Sequence, residues 1–264
     1  MEKLSKNLRA LILAGGKQTR MESVTQNKIP KSFVILDEKS QKRGIDYVAE
    51  MLASVPIEDV VVSANDYLPF FKEIGKVPYQ LTYQRKEANT GGAVFDAIQE
   101  YGTEKQYLVM SPDCFVFPDD LARLVLEHKE GTISWGVSRK STHSMEEYNG
   151  LIIDKETHAV LGDVKLPWTK KIPDNTELVV KGAVQLIDPK LYLKLFAMHK
   201  RLCNKIERVD LYYDICPMSE EWNRRRVERG DESVINAVIF EKPIIDYGTP
   251  ARLLELQSVL NDVN

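Results

Sequence analysis

The first apolar run of the chain, Leu11, Ile12 and Leu13, stops at Ala14 and the paired glycines Gly15 and Gly16, with Lys17, Gln18, Thr19, Arg20 and Met21 next. A short aliphatic run that ends at paired glycines reads as a buried strand entering a tight loop, where backbone N–H groups can approach an anion. By itself the pattern is more often that of an ordinary turn. Polar residues later in the chain decide how the loop is used.

Downstream the apolar pattern switches between two periods. Gly44 to Ser54 carries Ile45, Val48, Ala49, Met51 and Leu52 at helical spacing, and Val60 to Val62 reads as a buried strand. Asp66 to Ile74 reads as a short helix, Tyr79 to Tyr83 as a strand, the stretch that follows Ala93 through Tyr101 as helical and Tyr107 to Met110 as a strand. Such alternation predicts a parallel sheet covered on both faces. From Thr132 the pattern turns to strands: Thr132 to Val137, Gly150 to Asp154, Ala159 to Val164 and Leu178 to Ile187. This predicts a smaller β-rich region closing one side of a cleft. Asp119 is expected to cap a helix to about His128, and Asp188-Pro189 to open one reaching about Lys200. Glu220 to Arg229 reads as a solvated helix face, and Val234 to Phe240 as a last strand before a terminal helix.

Several polar residues stand at the ends of these runs. Lys31 comes directly after Pro30, which fixes an extended approach, so its ammonium could point back to the end of the first loop. Asn89-Thr90-Gly91-Gly92-Ala93 opens a helix, with Thr90 as a cap or the glycines as a close approach for a flat or anionic ligand. Asp113 lies just past the strand ending at Met110. Ligands of open α/β sheets bind at the carboxyl ends of strands, so a carboxylate there is a candidate metal ligand or else ends the strand through an Asx turn. Asp246 comes after another apolar run, beside Gly248 and a Thr249-Pro250 helix start.

Composition narrows the partners. With 264 residues, 43% of them hydrophobic, the chain can bury a large core. The 36 basic and 39 acidic residues leave a net charge of -3, so no overall positive field points to nucleic acid or an anionic membrane, and any anion must be held by local groups. Three cysteines, Cys114, Cys203 and Cys216, suit a reducing compartment, and a polar start from Met1 to Arg9 with no long apolar span makes cytoplasmic the expectation. No partner class beyond small anionic substrates is implied, except a possible homo-oligomer.

Taken together, these stretches resemble the sugar-nucleotide pyrophosphorylases, which join a nucleoside triphosphate to a sugar 1-phosphate. The family's opening L-A-G-G-x-G-T-R-[LM] with a later P-K is matched by L-A-G-G-K-Q-T-R-M at Leu13 to Met21 and by Pro30-Lys31. Its G-T-[AG]-G-A loop resembles Asn89 to Ala93, its strand-end aspartate matches Asp113, and its D-x-G-T-P matches Asp246 to Pro250. Two positions depart from the pattern: Gln18 replaces the third loop glycine, and Ser111-Pro112 precedes the aspartate where a glycine is usual. Val164-Lys165-Leu166-Pro167 stands loosely where the family has Glu-Lys-Pro.

The resemblance implies a Rossmann-like, GT-A-like α/β fold: a mixed, mainly parallel sheet flanked by helices, with a smaller β-rich sugar-binding region. It implies a single domain over 1–264, its nucleotide-binding part at 1–131. The sugar-phosphate-binding part, second metal aspartate and terminal helix fall in 132–264. It further implies Mg²⁺ held by Asp113 and Asp246, with Arg20 and Lys31 stabilising charge on the phosphates. Leu13, Ala14, Gly15 and Gly16 would admit the triphosphate, Gln84 and Gly91 would face the base, and Lys165 and Lys181 would meet the sugar phosphate. The Thr-Gly-Gly-Ala loop is closest to mannose- or heptose-1-phosphate guanylyltransferases, so the expected triphosphate is GTP, although Gln84 is reminiscent of thymidylyl enzymes. A dehydrogenase would need G-x-G-x-x-G after the first strand, and a P-loop NTPase would need Gly-Lys-Ser/Thr; neither is present. The alternative is a nucleotide-sugar-binding regulatory paralogue without turnover, suggested by Gln18.

Overall fold

A computed structural model describes residues 7–16, 19–71, 79–83, 89–139, 149–165, 171–203 and 209–263. Gln18 and Gln84, together with Leu166 and Pro167, lie outside the described residues.

The first half alternates as its periods require: β1 (Leu8–Leu13), the short α1 (Glu22–Thr25), a ribbon of β2 (Ile35–Asp37) and β3 (Lys42–Arg43), then α2 (Gly44–Ala53) and β4 (Ile57–Ala64). Next come α3 (Leu68–Phe71), β5 (Tyr79–Tyr83), α4 (Asn89–Tyr101), β6 (Gln106–Met110), β7 (Cys114–Phe115) and α5 (Pro118–Glu127). The second half runs β8 (Ile133–Ser138), β9 (Asn149–Asp154), β10 (Val160–Lys165), β11 (Thr176–Ile187), α6 (Pro189–Cys203) and α7 (Cys216–Glu228). It closes with β12 (Ile235–Phe240), β13 (Ile245–Asp246) and α8 (Pro250–Val263).

Among the described residues, nine strands form one mixed sheet in the order β10-β9-β11-β6-β1-β4-β5, with β8 joined to β11 and β12 to β8. β1 is central, paired in parallel with β4 on one side and β6 on the other, and β5 continues the parallel block beyond β4. Every residue of β1 is buried, as a strand covered on both faces must be. Side-chain alternation sorts that strand between two cores. Leu8, Ala10 and Ile12 join Val60, Val62, Leu108 and Met110 beneath α2, α5 and α8. Leu11 and Leu13 join Val61, Tyr107 and Val109 beneath α4 and α6.

The β-rich region is continuous with the main sheet, because β11 pairs antiparallel with β9 through Val180 and with β6 from Val184 onward. One expectation needs correction: Asp119 lies inside the first turn of α5 and makes no cap; Phe117 occupies that position and Pro118 starts the helix, leaving Asp119 to complement the helix dipole. By contrast Asp188 does cap α6, its Oδ1 accepting from Leu191 N at 2.8 Å. Among the described residues no helix is long and apolar enough to cross a membrane.

Candidate active site

The carboxyl ends of β1 and β6 open on a cavity of about 270 Å³ lined by Arg20, Lys31, Asp113, Asn149, Lys181, Tyr212, Asp246 and Arg252, among others. The loop after β1 is tied down on its β4 side: Ala14 N donates to Ser63 O at 2.7 Å, and Asn65 Nδ2 donates to Gly15 O at 2.5 Å. Leu13 and Ala14 are buried, so they shape the turn. Gly16 is exposed, and a Cβ built on it would meet nothing within 4 Å, leaving the backbone there open to a ligand.

Pro30, at φ -64° and ψ 144°, delivers Lys31 to a short 3₁₀ turn, Lys31–Phe33. The Lys31 ammonium donates to Asp113 Oδ2, and Ser111 Oγ donates to Asp113 Oδ1. Asp113 is 4% exposed, and burial alone would push its carboxyl up; the Lys31 charge and the two hydrogen bonds outweigh burial and hold it below the usual carboxylate range.

Asp246 reaches the same place from the far end of the chain. β13 pairs antiparallel with β7, setting Asp246 opposite Cys114. Tyr247 locks this ribbon, its N donating to Asp113 O at 3.0 Å and its hydroxyl to Pro112 O at 2.7 Å. Asp246 Oδ1 accepts from Gly248 N at 2.6 Å, and Oδ2 accepts from Arg252 Nη1 at 2.9 Å. Burial and the neighbouring Asp113 charge push the Asp246 carboxyl upward. A Cβ on Gly248 would lie 2.8 Å from Asp246 Oδ1, 3.0 Å from Asp113 Oδ2 and 3.2 Å from Arg20 Nη2, so both carboxylates and the Arg20 guanidinium converge over this one glycine.

Two sequence-assigned residues sit otherwise than expected. Gly91, expected to face the base, is buried against the chain: its Cβ would fall 2.8 Å from Val209 O, and its own carbonyl accepts from Tyr192 Oη at 2.8 Å. The lack of a side chain there serves packing, and neighbouring Thr90 accepts from Leu211 N at 2.9 Å instead of capping α4. Lys165 stands at the exposed end of β10, opposite Asn149 in register, and is not among the residues lining the cavity.

Lys181 does line the cavity but is buried and paired inward with Asp163 and Glu220. Sequence reasoning missed Arg252, which is 2% exposed. A signal was available, since a cation in the first turn of a helix opposes the helix dipole and implies a partner elsewhere.

By structure, the chain resembles the inositol-1-phosphate CTP transferase from T. maritima, with TM-score 0.71 and 17% identity over 98% of this chain and 97% of that one. It likewise resembles a Bacillus anthracis protein assigned as a glucose-1-phosphate thymidylyltransferase, in complex with sucrose, with TM-score 0.71, 18% identity, and 97% and 96% of the two chains covered. A third likeness is the UTP-bound UGPase from Acinetobacter baumannii, with TM-score 0.70, 17% identity, and coverage of 97% and 94%. At such identities these likenesses establish the fold. A comparison of the sequence with curated proteins gives no significant match. The Nucleotidyl transferase family profile matches residues 9–162, a span that includes the glycine loop, Arg20, Lys31 and Asp113, and the chain therefore belongs to the nucleotidyl transferase family.

Proposed function

We propose that the protein transfers a nucleotidyl group from a nucleoside triphosphate to a sugar 1-phosphate, releasing pyrophosphate. The observation that carries this reading is the convergence of Arg20, Lys31, Asp113 and Asp246 at the carboxyl ends of β1 and β6. An oxygen of the sugar phosphate attacks the α-phosphorus and forms the new P–O bond. The bond from the α-phosphorus to the bridging oxygen breaks, and its electron pair leaves on pyrophosphate. The attacking phosphate is already ionised, so no side-chain base is required, and the protein contributes position and charge. Gly15 and Gly16 admit the phosphates to the backbone, Arg20 and Lys31 stabilise the charge that grows on them, and Lys181 on the opposite wall faces the sugar phosphate. Lys165, exposed beside Asn149, extends that side.

The donor set fits Mg²⁺. Two hard carboxylates converge, and the like charge of Asp113 already disfavours ionised Asp246, a strain that a divalent cation relieves. Among the described residues no group of three or more His, Cys, Asp and Glu side chains is placed to hold a metal ion, so substrate phosphate and water would have to complete the shell. Mg²⁺ held by Asp113 and Asp246 would neutralise phosphate charge.

The three structural likenesses carry UTP, CTP and thymidylyl in their names. GTP is therefore inferred from the Thr-Gly-Gly-Ala loop alone, and we infer likewise a single-domain organisation. The deciding experiment is pyrophosphate release from GTP, UTP, CTP and dTTP, each paired with glucose 1-phosphate, mannose 1-phosphate and a heptose 1-phosphate. Release with one base over the others supports the reading. No release with any pair, together with heat stabilisation by a nucleotide sugar, favours the regulatory paralogue.

A further inference from the structure

Behind the sugar-side wall lies a second buried charge cluster. The Lys181 ammonium of β11 is ion-paired with Asp163 of β10, lies 3.5 Å from Glu220 Oε1 of α7, and sits 4.5 Å from the centre of the Trp135 ring of β8. Glu220 is 0% exposed, and its second carboxylate oxygen has no hydrogen-bond partner among the described residues. Lys181 and Asp163 face Glu220 from the two strands, and from its own helix Cys216 faces the cluster as a thiol that burial keeps protonated. Burial pushes the Glu220 carboxyl up to about 7, against the opposing pull of Lys181.

With Glu220 ionised the cluster holds one ammonium and two carboxylates, a net charge of -1; with Glu220 protonated it is neutral. An anion arriving beside Lys181 is repelled by the first state and accepted by the second. Binding and protonation then favour each other reciprocally. A buried carboxylate oxygen with no hydrogen-bond partner among the described residues is also where a proton costs least.

We propose, on the reading that this cavity takes a sugar 1-phosphate, that Glu220 is a positioning residue for that substrate, taking up a proton as the phosphate binds and so releasing its share of the Lys181 ammonium. Lys181 thereby serves two states: it is neutralised by two carboxylates when the site is empty and shared between Asp163 and the phosphate when it is filled. The substrate class that benefits is one whose anionic group sits on the Lys181 wall, separate from the triphosphate side at Arg20 and Lys31.

The test is calorimetric titration of the full chain at about pH 7, in buffers of different ionisation enthalpy, which counts the protons exchanged. The probes are glucose 1-phosphate, mannose 1-phosphate, glucose 1-sulfate, whose charge does not titrate in this range, and GTP alone. Wild-type protein is expected to take up a fraction of a proton with the sulfate as well as the phosphates and none with GTP. Glu220→Gln is expected to take up none with the sulfate. From pH 6 to pH 8 the KM for the sugar phosphate should rise about fivefold more in wild type than in Glu220→Gln, the part of a tenfold, one-unit coupling that falls in this range. A purely structural Glu220 would lower stability or activity without moving either readout.

Equal uptake by wild type and Glu220→Gln, or uptake with GTP, overturns the proposal. If Glu220→Gln fails to fold, Asp163→Asn supplies the second arm: removing that carboxylate lowers the Glu220 carboxyl in the empty and the filled site alike, so uptake should peak at lower pH than in wild type, and an unmoved peak overturns the idea. A wild type that releases pyrophosphate yet takes up no proton sinks this proposal alone. A wild type that releases none with any pair sinks the assigned reaction, and the proposal then rests on proton uptake with the sugar phosphates, whose absence overturns it.

Discussion

Asp246 stands directly opposite Cys114 in a two-stranded antiparallel ribbon, and this register sets its carboxylate beside that of Asp113. Two residues from consecutive motifs, far apart in the chain, thus share one charge problem, which burial sharpens: Asp113 is held ionised by Lys31, and Asp246 is pushed toward its protonated form. Asp113→Asn should leave the fold intact, because the carboxylate contributes little to the core, and should depress kcat by roughly 10²–10³, on the scale of losing one preorganised electrostatic group. Activity that survives both this change and EDTA would show that neither carboxylate holds a required metal.

Lys31→Ala tests the opposite charge. Its ammonium touches Asp113 and lines the cavity, and the phosphate charge it meets is greatest in the transition state. The expected result is a loss of about 2–4 kcal/mol in transition-state stabilisation, seen in kcat more than in the KM for the triphosphate. A change confined to KM would assign Lys31 to ground-state binding alone.

Gly44 lies far from the phosphates in sequence but supports the site from behind. A Cβ there would fall 2.0 Å from Tyr247 Oη, the atom that donates to Pro112 O and fastens β13 to the Asp113 turn. Gly44→Ala should destabilise the protein by about 1–3 kcal/mol through overpacking. It should also lower kcat although it touches no substrate. Denaturant unfolding and steady-state kinetics on the same preparation check both, and unchanged kcat would mean that the ribbon tolerates a displaced Tyr247.

Arg252 is buried, and its guanidinium holds Asp246 Oδ2 at 2.9 Å. Arg252→Met removes the charge while keeping much of the volume, leaving a largely buried carboxylate short of one cation. The expected cost is about 2–3 kcal/mol, below the range for a fully buried pair because the Asp246 side chain keeps 30% exposure. Urea unfolding reads it; a cost under about 0.5 kcal/mol would reduce the contact to a surface-type ion pair.

Stability should depend on pH through Glu220. Its carboxyl is raised in the folded protein to about 7, so between the unfolded value and 7 the folded state binds more protons than the unfolded state, and stability falls as pH rises across that window. Glu220→Gln mimics the protonated form and should be more stable than wild type at about pH 8 by on the order of 1–3 kcal/mol, with the difference vanishing toward about pH 4.5. Asp59 acts with the opposite sign: Arg9 holds its carboxyl low, so its contribution is present above the unfolded value and is lost as the pH falls through its folded value. Thermal unfolding of both proteins at several pH values separates the two, and parallel curves would exclude an ionised Glu220 at high pH.

The strands with one unbroken apolar run were legible because their period is set by burial alone, and β1, β4 and β6 appear where Leu11, Val60 and Tyr107 placed them. The meeting of Asp113 with Asp246 was legible only through the family resemblance, since each aspartate read alone fits a strand end or a helix start. Glu220 was not legible. Its stretch reads as a solvated charged face, and Glu221, Arg224 and Arg225 do form exposed ion pairs there. The inward stripe of α7 is polar, made of Cys216, Ser219, Glu220 and Asn223, so hydrophobic periodicity had nothing to detect. Gly91 misled for another reason: the requirement for glycine comes from Val209, distant in sequence, and no local pattern announces a partner that tertiary folding supplies.

β11 has a consequence for how the chain can be cut. One strand bonds to β9 with its first residues and to β6 with its last, and the stretch between them, Lys181 to Ala183, forms part of the cavity. A fragment ending at residue 131 would keep β6 but leave its flank bare, an apolar edge from Tyr107 to Met110 ready to pair with another molecule. The complementary fragment would hold the sugar wall without the strand that aligns it. Expressed apart, the pieces should aggregate; expressed together, they should recover a single folded species only by rebuilding that shared edge.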